Sequence, residues 1–281
     1  MKNYLSLIKF SHTIFALPFA LVGFFLAVWL DGHSFTWQKF LLVVACMVFA
    51  RSAAMAFNRL VDERYDRINS RTTMREIPAG IIPVNSAALF TACCAVLFML
   101  SAYFINPLCF ALSPVALLVV LGYSYTKRFT HFSHFFLGLG LSLAPIGAYL
   151  AVTSEFSALP VLIGAAVFFW VSGFDIIYSL QDEAFDKEQQ LHSMAVWVGR
   201  KNALIISSFV HFLSIVFLAV AGIYWNFGVW YWAGLLIFTL LLIYQHAIIK
   251  VNDISRVNMA FFTTNGVASV IFATFVLIEI F

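Results

Sequence analysis

Charged side chains are scarce in this chain of 281 residues, since Asp, Glu, Lys and Arg together make up only 10% of it. Soluble domains average about 25% charged residues, so this composition cannot build an ordinary water-exposed surface. Hydrophobic residues instead reach 63% and aromatic residues 17%. The composition excludes a typical soluble domain and predicts an integral membrane protein that crosses the bilayer several times.

Cysteine and histidine are also sparse. The four cysteines lie inside apolar segments without the paired spacing of a zinc site or of a disulfide framework, so we expect them to be packing residues. The seven histidines are scattered singly, and only His12 is retained as a functional candidate. A net charge of +3 with no basic domain argues against nucleic-acid binding, and no obligate protein partner is evident.

Apolar runs of about 20 residues recur along the whole chain, and each is long enough to cross a membrane as a helix. Nine such runs predict an all-α membrane protein with a single transmembrane domain over residues 1–281. An echo between the second and sixth spans predicts two four-helix units plus one helix around a central cavity. The predicted spans are 14–30, 38–58, 84–104, 107–125, 134–152, 158–180, 203–224, 228–249 and 259–280.

The basic residues fall almost entirely on one side of these spans. An excess of Lys and Arg marks the cytoplasmic side of a membrane protein, whereas the loops on the opposite side contain only Lys39. We therefore expect a multi-pass protein, of the kind found in a bacterial inner membrane, with its N-terminus in the cytoplasm. The cytoplasmic set is Lys2, Lys9, Arg59, Arg64, Arg67, Arg71, Arg75, Lys127, Arg128, Lys187, Arg200, Lys201, Lys250 and Arg256.

Two segments carry polar residues at helical spacing at the ends of membrane-length runs. Steps of four residues advance about 400° around a helix, so side chains spaced in this way share one stripe. The first motif, in NRLVDERYD, consists of Asn58, Asp62 and Asp66, and the second, in DIIYSLQDEAFD, consists of Asp175, Tyr178, Asp182 and Asp186.

These motifs indicate a metal site. Like charges four residues apart repel each other, and acids at the C-terminal end of a helix oppose its dipole, so a merely solvated helix end is the less favourable interpretation. Oxygen ligands without Cys or His suit a hard cation such as Mg²⁺, which commonly bridges carboxylates to phosphates. Basic residues that could bind a phosphate lie nearby in the sequence, namely Arg64, Arg67, Arg71, Arg75, Lys127 and Arg128.

A secondary transporter is the alternative from a different class, because transporters also use intramembrane acids and internal repeats. Transport acids usually sit singly near the middle of the bilayer. The acids of this chain instead stand at helix ends beside clustered arginines, which favours phosphate capture.

At these residues the chain resembles the UbiA family of intramembrane aromatic prenyltransferases. The family motifs NxxxDxxxD and DxxYxxxDxxxD match the two polar segments, and the stretches RTTMREIPAG (71–80) and YSYTKRFT (123–130) also look like family segments. The opening KFSHTIFALPFAL (9–21) is most similar to the 4-hydroxybenzoate polyprenyltransferases and their menaquinone-pathway relatives. The resemblance covers essentially the whole chain.

The resemblance implies Mg²⁺-dependent transfer of a polyprenyl group from its diphosphate to an aromatic hydroxy-carboxylate, 4-hydroxybenzoate or a naphthoate, in quinone biosynthesis. Arg51 would pair either with the carboxylate of the acceptor or with an aspartate of a motif. Asp175 and Tyr178 would orient the acceptor or help to remove its proton. The metal ligands would be Asn58, Asp62, Asp66, Asp182 and Asp186, and the diphosphate would be bound by Arg71, Arg75 and Lys127.

Overall fold

The structure is a computed structural model that describes residues 2–9, 13 and 15–281. His12, the histidine singled out in the sequence, lies outside the described residues. The described part is all-helical, without a β-strand. Its helices are α1 (Lys2–Leu7), α2 (Leu17–Phe25), α3 (Trp37–Val61), α4 (Glu63–Ile68), α5 (Val84–Ile105), α6 (Pro107–Thr126), α7 (Ser133–Thr153), α8 (Ala158–Ser179), α9 (Glu183–Glu188), α10 (Met194–Tyr224), α11 (Val229–Ile248) and α12 (Asn265–Ile280).

Eight helical segments of the described chain are long and apolar enough to cross a membrane: α3, α5, α6, α7, α8, α10, α11 and the continuous stretch Met259–Ile280 that ends in α12. The first predicted span, 14–30, is shorter in the structure. It forms the helix Leu17–Leu30, whose last five residues are π-helical. Pro18 occupies the first turn, a favoured place for proline, and Gly32 follows the helix with φ +72°.

The seventh span begins earlier than the prediction of 203–224. Ser193 caps α10, and its side-chain oxygen accepts a hydrogen bond of 3.3 Å from the backbone N–H of Val196. The helix is interrupted at Gly199, where φ is +76° and ψ is 164°, a conformation that only glycine adopts readily. A short helical segment, 194–198, therefore precedes the predicted span.

The main core lies among α2, α7, α8, α10, α11 and α12. Phe19, Trp170, Phe238 and Phe272 are fully buried in it and pack ring against ring. Trp170 also donates its indole N–H to Asn265 Oδ1 at 3.0 Å, so the polar atom of the largest buried ring is satisfied. This core holds α8, which carries Asp175 and Tyr178 of the second polar motif, in a fixed position.

The two polar motifs have the same local backbone. Asp62 ends α3 with φ −91° and ψ 5°, and Asp182 follows α8 with φ −101° and ψ 2°. Each of these residues is the N-cap of a six-residue helix, α4 or α9. The fourth residue of each short helix is a buried aspartate, Asp66 or Asp186. The two motifs, which are similar in sequence, thus also have similar local backbone structure.

Candidate active site

The eleven residues assigned to the site from the motifs and the family resemblance all line one cavity of about 590 Å³. Of the other basic residues suggested for phosphate binding, Arg128 also lines it, whereas Arg64 and Arg67 do not. The cavity lies where the last turns of α3 and α8 meet the C-terminal end of α6 and the loop that follows α4. The described residues that line it include seven basic and six acidic side chains. The basic ones are Lys9, Arg51, Arg59, Arg71, Arg75, Lys127 and Arg128, and the acidic ones are Asp62, Asp66, Glu76, Asp175, Asp182 and Asp186.

The first motif occupies one wall. Asn58 donates its amide N–H to Asp62 Oδ2 at 3.1 Å. Asp66 accepts two hydrogen bonds from Arg75 Nη1, at 2.6 and 2.8 Å, and its Oδ2 lies 3.9 Å from Arg59 Nη1. The pairing neutralises the buried carboxylate of Asp66, while Asp62 has a neutral hydrogen-bond partner.

The second motif lines the same cavity and is contacted by Arg71, which lies in the loop that follows the first motif. Arg71 donates from Nε to Asp182 Oδ1 at 3.0 Å and from Nη2 to Asp182 Oδ2 at 2.5 Å. Its remaining nitrogen, Nη1, donates to the hydroxyl of Tyr178 at 3.1 Å. The buried amide of Asn69 also donates to Asp182 Oδ1, at 3.4 Å. The loop after the first motif therefore supplies the hydrogen-bond donors to Asp182 and Tyr178 of the second motif.

Asp186 is the most deeply buried acid of the second motif. Its Oδ2 lies 3.5 Å from Lys127 Nζ, which is an electrostatic contact longer than a normal hydrogen bond. That oxygen is buried, and no described residue donates a hydrogen bond to it. A buried carboxylate oxygen that faces a polar cavity without a donor is chemically suited to coordinate a cation.

The five predicted metal ligands fit Mg²⁺ by chemistry, since they offer amide and carboxylate oxygens only. In the described part of the chain, no three His, Cys, Asp or Glu side chains lie close enough together to hold a metal ion. Three of the four aspartates among these predicted ligands instead contact a basic side chain. Asp186 Oδ2 has no hydrogen-bond donor among the described residues, and none of them forms an ion pair with Asp62. A metal ion could therefore bind at these two carboxylates without breaking a hydrogen bond to a basic side chain.

Burial and neighbouring charges shift the pKa values of three residues that line the cavity at the helix ends. Burial raises the pKa of Asp62 to about 6, an effect that Lys127 partly opposes. Burial also raises the pKa of Asp186. Desolvation lowers the pKa of Lys127, but the carboxylates of Asp186, Asp182, Asp175 and Asp62 outweigh it, so the net shift of that pKa is upward. Lys127 is therefore a permanent cation, whereas Asp62 titrates close to neutral pH.

A second, apolar compartment of about 400 Å³ continues from the polar cavity between α3, α5, α6 and α7. The two spaces share Arg51, Met55, Tyr123, Leu137 and Leu141 as lining residues. Arg51 therefore stands at the boundary between polar and apolar space, and its Nε is buried without a hydrogen-bond partner.

The apolar compartment reaches the outer surface of the helices. Val115 and Phe156 line it, and both are more than half exposed. An extended apolar molecule could enter here from the hydrocarbon of a bilayer.

Several residues in or directly behind the cavity wall were not predicted as site residues from the sequence. Arg59 is buried beside Asp66, Asn69 contacts Asp182, and His134 contacts Asp175 at 2.7 Å. Arg59 could have been suspected because it follows Asn58 on a buried helix end. The contact of His134 with Asp175 joins residues 41 positions apart, and no local pattern indicates it.

The basic loop that contains Arg71 and Arg75 is not helical. Arg71 and Arg75 would lie one turn apart if their segment were helical, but residues 71–80 form successive turns. The two arginines consequently reach different acids, Asp182 and Asp66.

Comparison with known proteins places the chain in a family. The sequence model of the UbiA prenyltransferase family matches residues 16–267. A 4-hydroxybenzoate octaprenyltransferase from Nitrosomonas europaea is 34% identical over 238 residues, which cover 83% of this chain and 80% of that protein.

Solved structures agree with the sequence match. The apo structure of a UbiA homologue from Aeropyrum pernix K1 superposes with a TM-score of 0.86 at 30% identity, covering 96% of this chain and 98% of that one. A UbiA homologue from Archaeoglobus fulgidus, bound to GPP and Mg²⁺, shares the fold with a TM-score of 0.73 at 21% identity and covers 99% of each chain. The chain therefore belongs to the UbiA prenyltransferase family.

Proposed function

We propose that this enzyme transfers a polyprenyl group from a polyprenyl diphosphate to an aromatic hydroxy-carboxylate. The observation that carries the proposal is the junction of the two compartments: a cavity with both polar motifs opens directly into an apolar space that reaches the membrane-facing surface. An amphiphilic donor with a diphosphate head and an isoprenoid tail has this same division of polarity. The name of the Nitrosomonas relative favours 4-hydroxybenzoate as the acceptor over a naphthoate.

The metal ligands in this proposal are Asn58, Asp62, Asp66, Asp182 and Asp186. Mg²⁺ held by these oxygens would neutralise the diphosphate and so favour its departure from the allylic carbon. The Archaeoglobus homologue binds GPP together with Mg²⁺, which supports this assignment.

The basic residues must change partners when donor binds. Arg71, Arg75 and Lys127 now contact motif aspartates, and these contacts stabilise the site by charge compensation. In the donor complex the three cations turn to the diphosphate oxygens, while the aspartates that they release become ligands. Each cation is thereby paired before and after binding, so no buried charge is left without a partner.

The acceptor is placed by residues at the boundary of the two compartments. The buried Nε of Arg51 has no hydrogen-bond partner among the described residues, which favours a negatively charged ligand there. The carboxylate of the acceptor fits that position better than an aspartate that already has a partner. Asp175 accepts the proton that the ring loses after attack on the allylic carbon, and Tyr178, held by Arg71, orients the ring.

The membrane arrangement completes the proposal. Nine helices cross the membrane, with Leu17–Leu30 as the shortest, and two four-helix units face each other across the cavity, with the ninth helix beside them. The site faces the cytoplasm of a bacterium, and the N-terminus lies on the same side, because the basic loops surround it.

Impermeant thiol labelling tests this orientation. In a variant without the native cysteines, Met74→Cys should react from the cytoplasmic side only and Glu155→Cys from the opposite side only, since both positions are exposed. The reverse labelling pattern would contradict the orientation.

The activity is tested by mass spectrometry of products made by the purified protein. The protein is given Mg²⁺, GPP and either 4-hydroxybenzoate or 1,4-dihydroxy-2-naphthoate. We expect a C-prenylated hydroxybenzoate that requires Mg²⁺. Absence of any prenylated aromatic product with either acceptor, while GPP binds, would refute the proposed function.

A further inference from the structure

We infer that His134 is a positioning residue that holds the carboxylate of Asp175 in place as the acceptor of the ring proton. The inference rests on the proposed function and adds to it a residue that belongs to neither polar motif. His134 is the second residue of α7 and is fully buried. Asp175 lies on α8 and lines the polar cavity.

The contact between the two side chains is short and asymmetric in exposure. His134 Nδ1 lies 2.7 Å from Asp175 Oδ2, and the exposed fraction of the side chain is 0% for His134 and 20% for Asp175. The imidazole is thus behind the carboxylate as viewed from the cavity, and substrate can touch the aspartate without touching the histidine.

A second hydrogen bond fixes the tautomer of His134. The backbone N–H of Met194 donates to His134 Nε2 at 3.2 Å. A backbone amide can only donate, so Nε2 must be the unprotonated nitrogen and the ring hydrogen must be on Nδ1. His134 is therefore the donor to Asp175, and its hydrogen bond fixes the direction in which the carboxylate points.

Close packing of α7 against α8 brings the two residues together. Gly138 lies one turn after His134, and Ser172 lies about one turn before Asp175. A Cβ atom at Gly138 would stand 2.3 Å from Ser172 Oγ and 2.5 Å from the carbonyl oxygen of Phe168. Only glycine permits the helices to approach this closely, and the approach sets the distance from His134 to Asp175.

The chemistry that this arrangement serves is the last step of aromatic substitution. The allylic C–O bond breaks and its electron pair leaves with the diphosphate, while a pair of ring electrons forms the new C–C bond. The ring carbon then loses its hydrogen as a proton to Asp175, and the electrons of that C–H bond restore aromaticity. His134 keeps its own hydrogen throughout, so its role is to aim the carboxylate of Asp175 at the ring carbon.

The test uses ring-deuterated 4-hydroxybenzoate with Mg²⁺ and GPP. His134→Leu removes the donor, so we expect kcat to fall about 10- to 100-fold, the usual effect of losing an orienting partner. The KM for GPP should stay unchanged, and the deuterium isotope effect on kcat should rise above that of the wild type because proton removal becomes limiting. His134→Gln, which can donate to Asp175 and accept from Met194, should recover most of the rate.

Two variants provide the controls. His131→Leu changes a neighbouring histidine that contacts the Ser193 carbonyl at 3.3 Å and not the cavity, so it should leave the isotope effect unchanged. In an Asp175→Asn background, the His134→Leu change should cause no further loss of kcat. An isotope effect equal to that of the wild type in His134→Leu, or additive losses in the double variant, would overturn the inference.

A measurement on the wild type covers the case in which His134→Leu does not fold. Nitrogen NMR of histidine-labelled protein in detergent should show His134 with its hydrogen on Nδ1. Hydrogen on Nε2 would overturn the inference without any variant. Failure of the wild type to prenylate either acceptor would instead refute the proposed function and leave the tautomer result standing, so the two failures are distinguishable.

Discussion

Replacing Arg71 by alanine should change the affinities for metal and for donor in opposite directions. In the proposed metal site, Arg71 would compete with Mg²⁺ for Asp182, to which it donates two hydrogen bonds. Charge-assisted hydrogen bonds contribute about 1.5–3 kcal/mol. Because the Arg71 side chain is 32% exposed, we take the lower limit of about 1.5 kcal/mol, which corresponds to about a tenfold change in a dissociation constant.

Mg²⁺ alone should therefore bind Arg71→Ala about tenfold more tightly than the wild type. GPP in the presence of saturating Mg²⁺ should bind about tenfold more weakly, because the diphosphate loses a charged donor. Calorimetric titration of the purified protein with MgCl₂, followed by GPP, measures both constants at one ionic strength.

A matched control lies in the same region of the chain. Arg67 pairs with Glu63 on the surface of α4, and neither residue lines the cavity. Arg67→Ala removes one positive charge at a similar sequence position, so it should leave both affinities within about twofold, as expected for an exposed ion pair. If Arg71→Ala weakens the binding of Mg²⁺ and GPP alike, the competition between arginine and metal for Asp182 does not exist.

Three further results are expected. Asp182→Ala should abolish prenyl transfer while the protein still inserts into membranes, and normal turnover by this variant would remove Asp182 from the metal site. The affinity for Mg²⁺ should fall about tenfold per pH unit below about pH 6. The raised pKa of Asp62 means that this carboxyl is protonated below that pH and then cannot bind metal. Isothermal titration should find this pH dependence absent in Asp62→Asn. Arg51→Ala should lower kcat/KM for 4-hydroxybenzoate about 10- to 100-fold more than for phenol, through loss of one charge-assisted contact. Equal losses for both acceptors would assign Arg51 to the diphosphate assembly instead.

The polar motifs could be predicted from the sequence because their geometry is local. Backbone hydrogen bonds run from Asp62 N to Asn58 O and from Asp66 N to Asp62 O, at 3.0 and 2.8 Å. The spacing of four residues therefore survives the break between α3 and α4. The helical spans could be predicted for the same reason, since hydrophobicity over about 20 residues is a property of one segment.

The partners of the motif residues could not be predicted, because they depend on contacts between distant segments. Residues 71–80 form turns without a repeating pattern, so nothing in the sequence assigns Arg71 to Asp182 and Arg75 to Asp66. The contact between His134 and Asp175 depends on how closely two helices approach. That distance is set by one glycine, whose significance appears only when its neighbour across the interface is known.

The near balance of seven basic and six acidic side chains around the cavity bears on how the donor arrives. A cavity with little net charge generates only a weak field in the surrounding water, so it does not steer diphosphates over long distances. The apolar compartment, in contrast, is continuous with the surface between the helices. Encounter with a long-chain donor is then a two-dimensional search within the bilayer, and its rate should follow the concentration of donor per unit of lipid and remain insensitive to ionic strength.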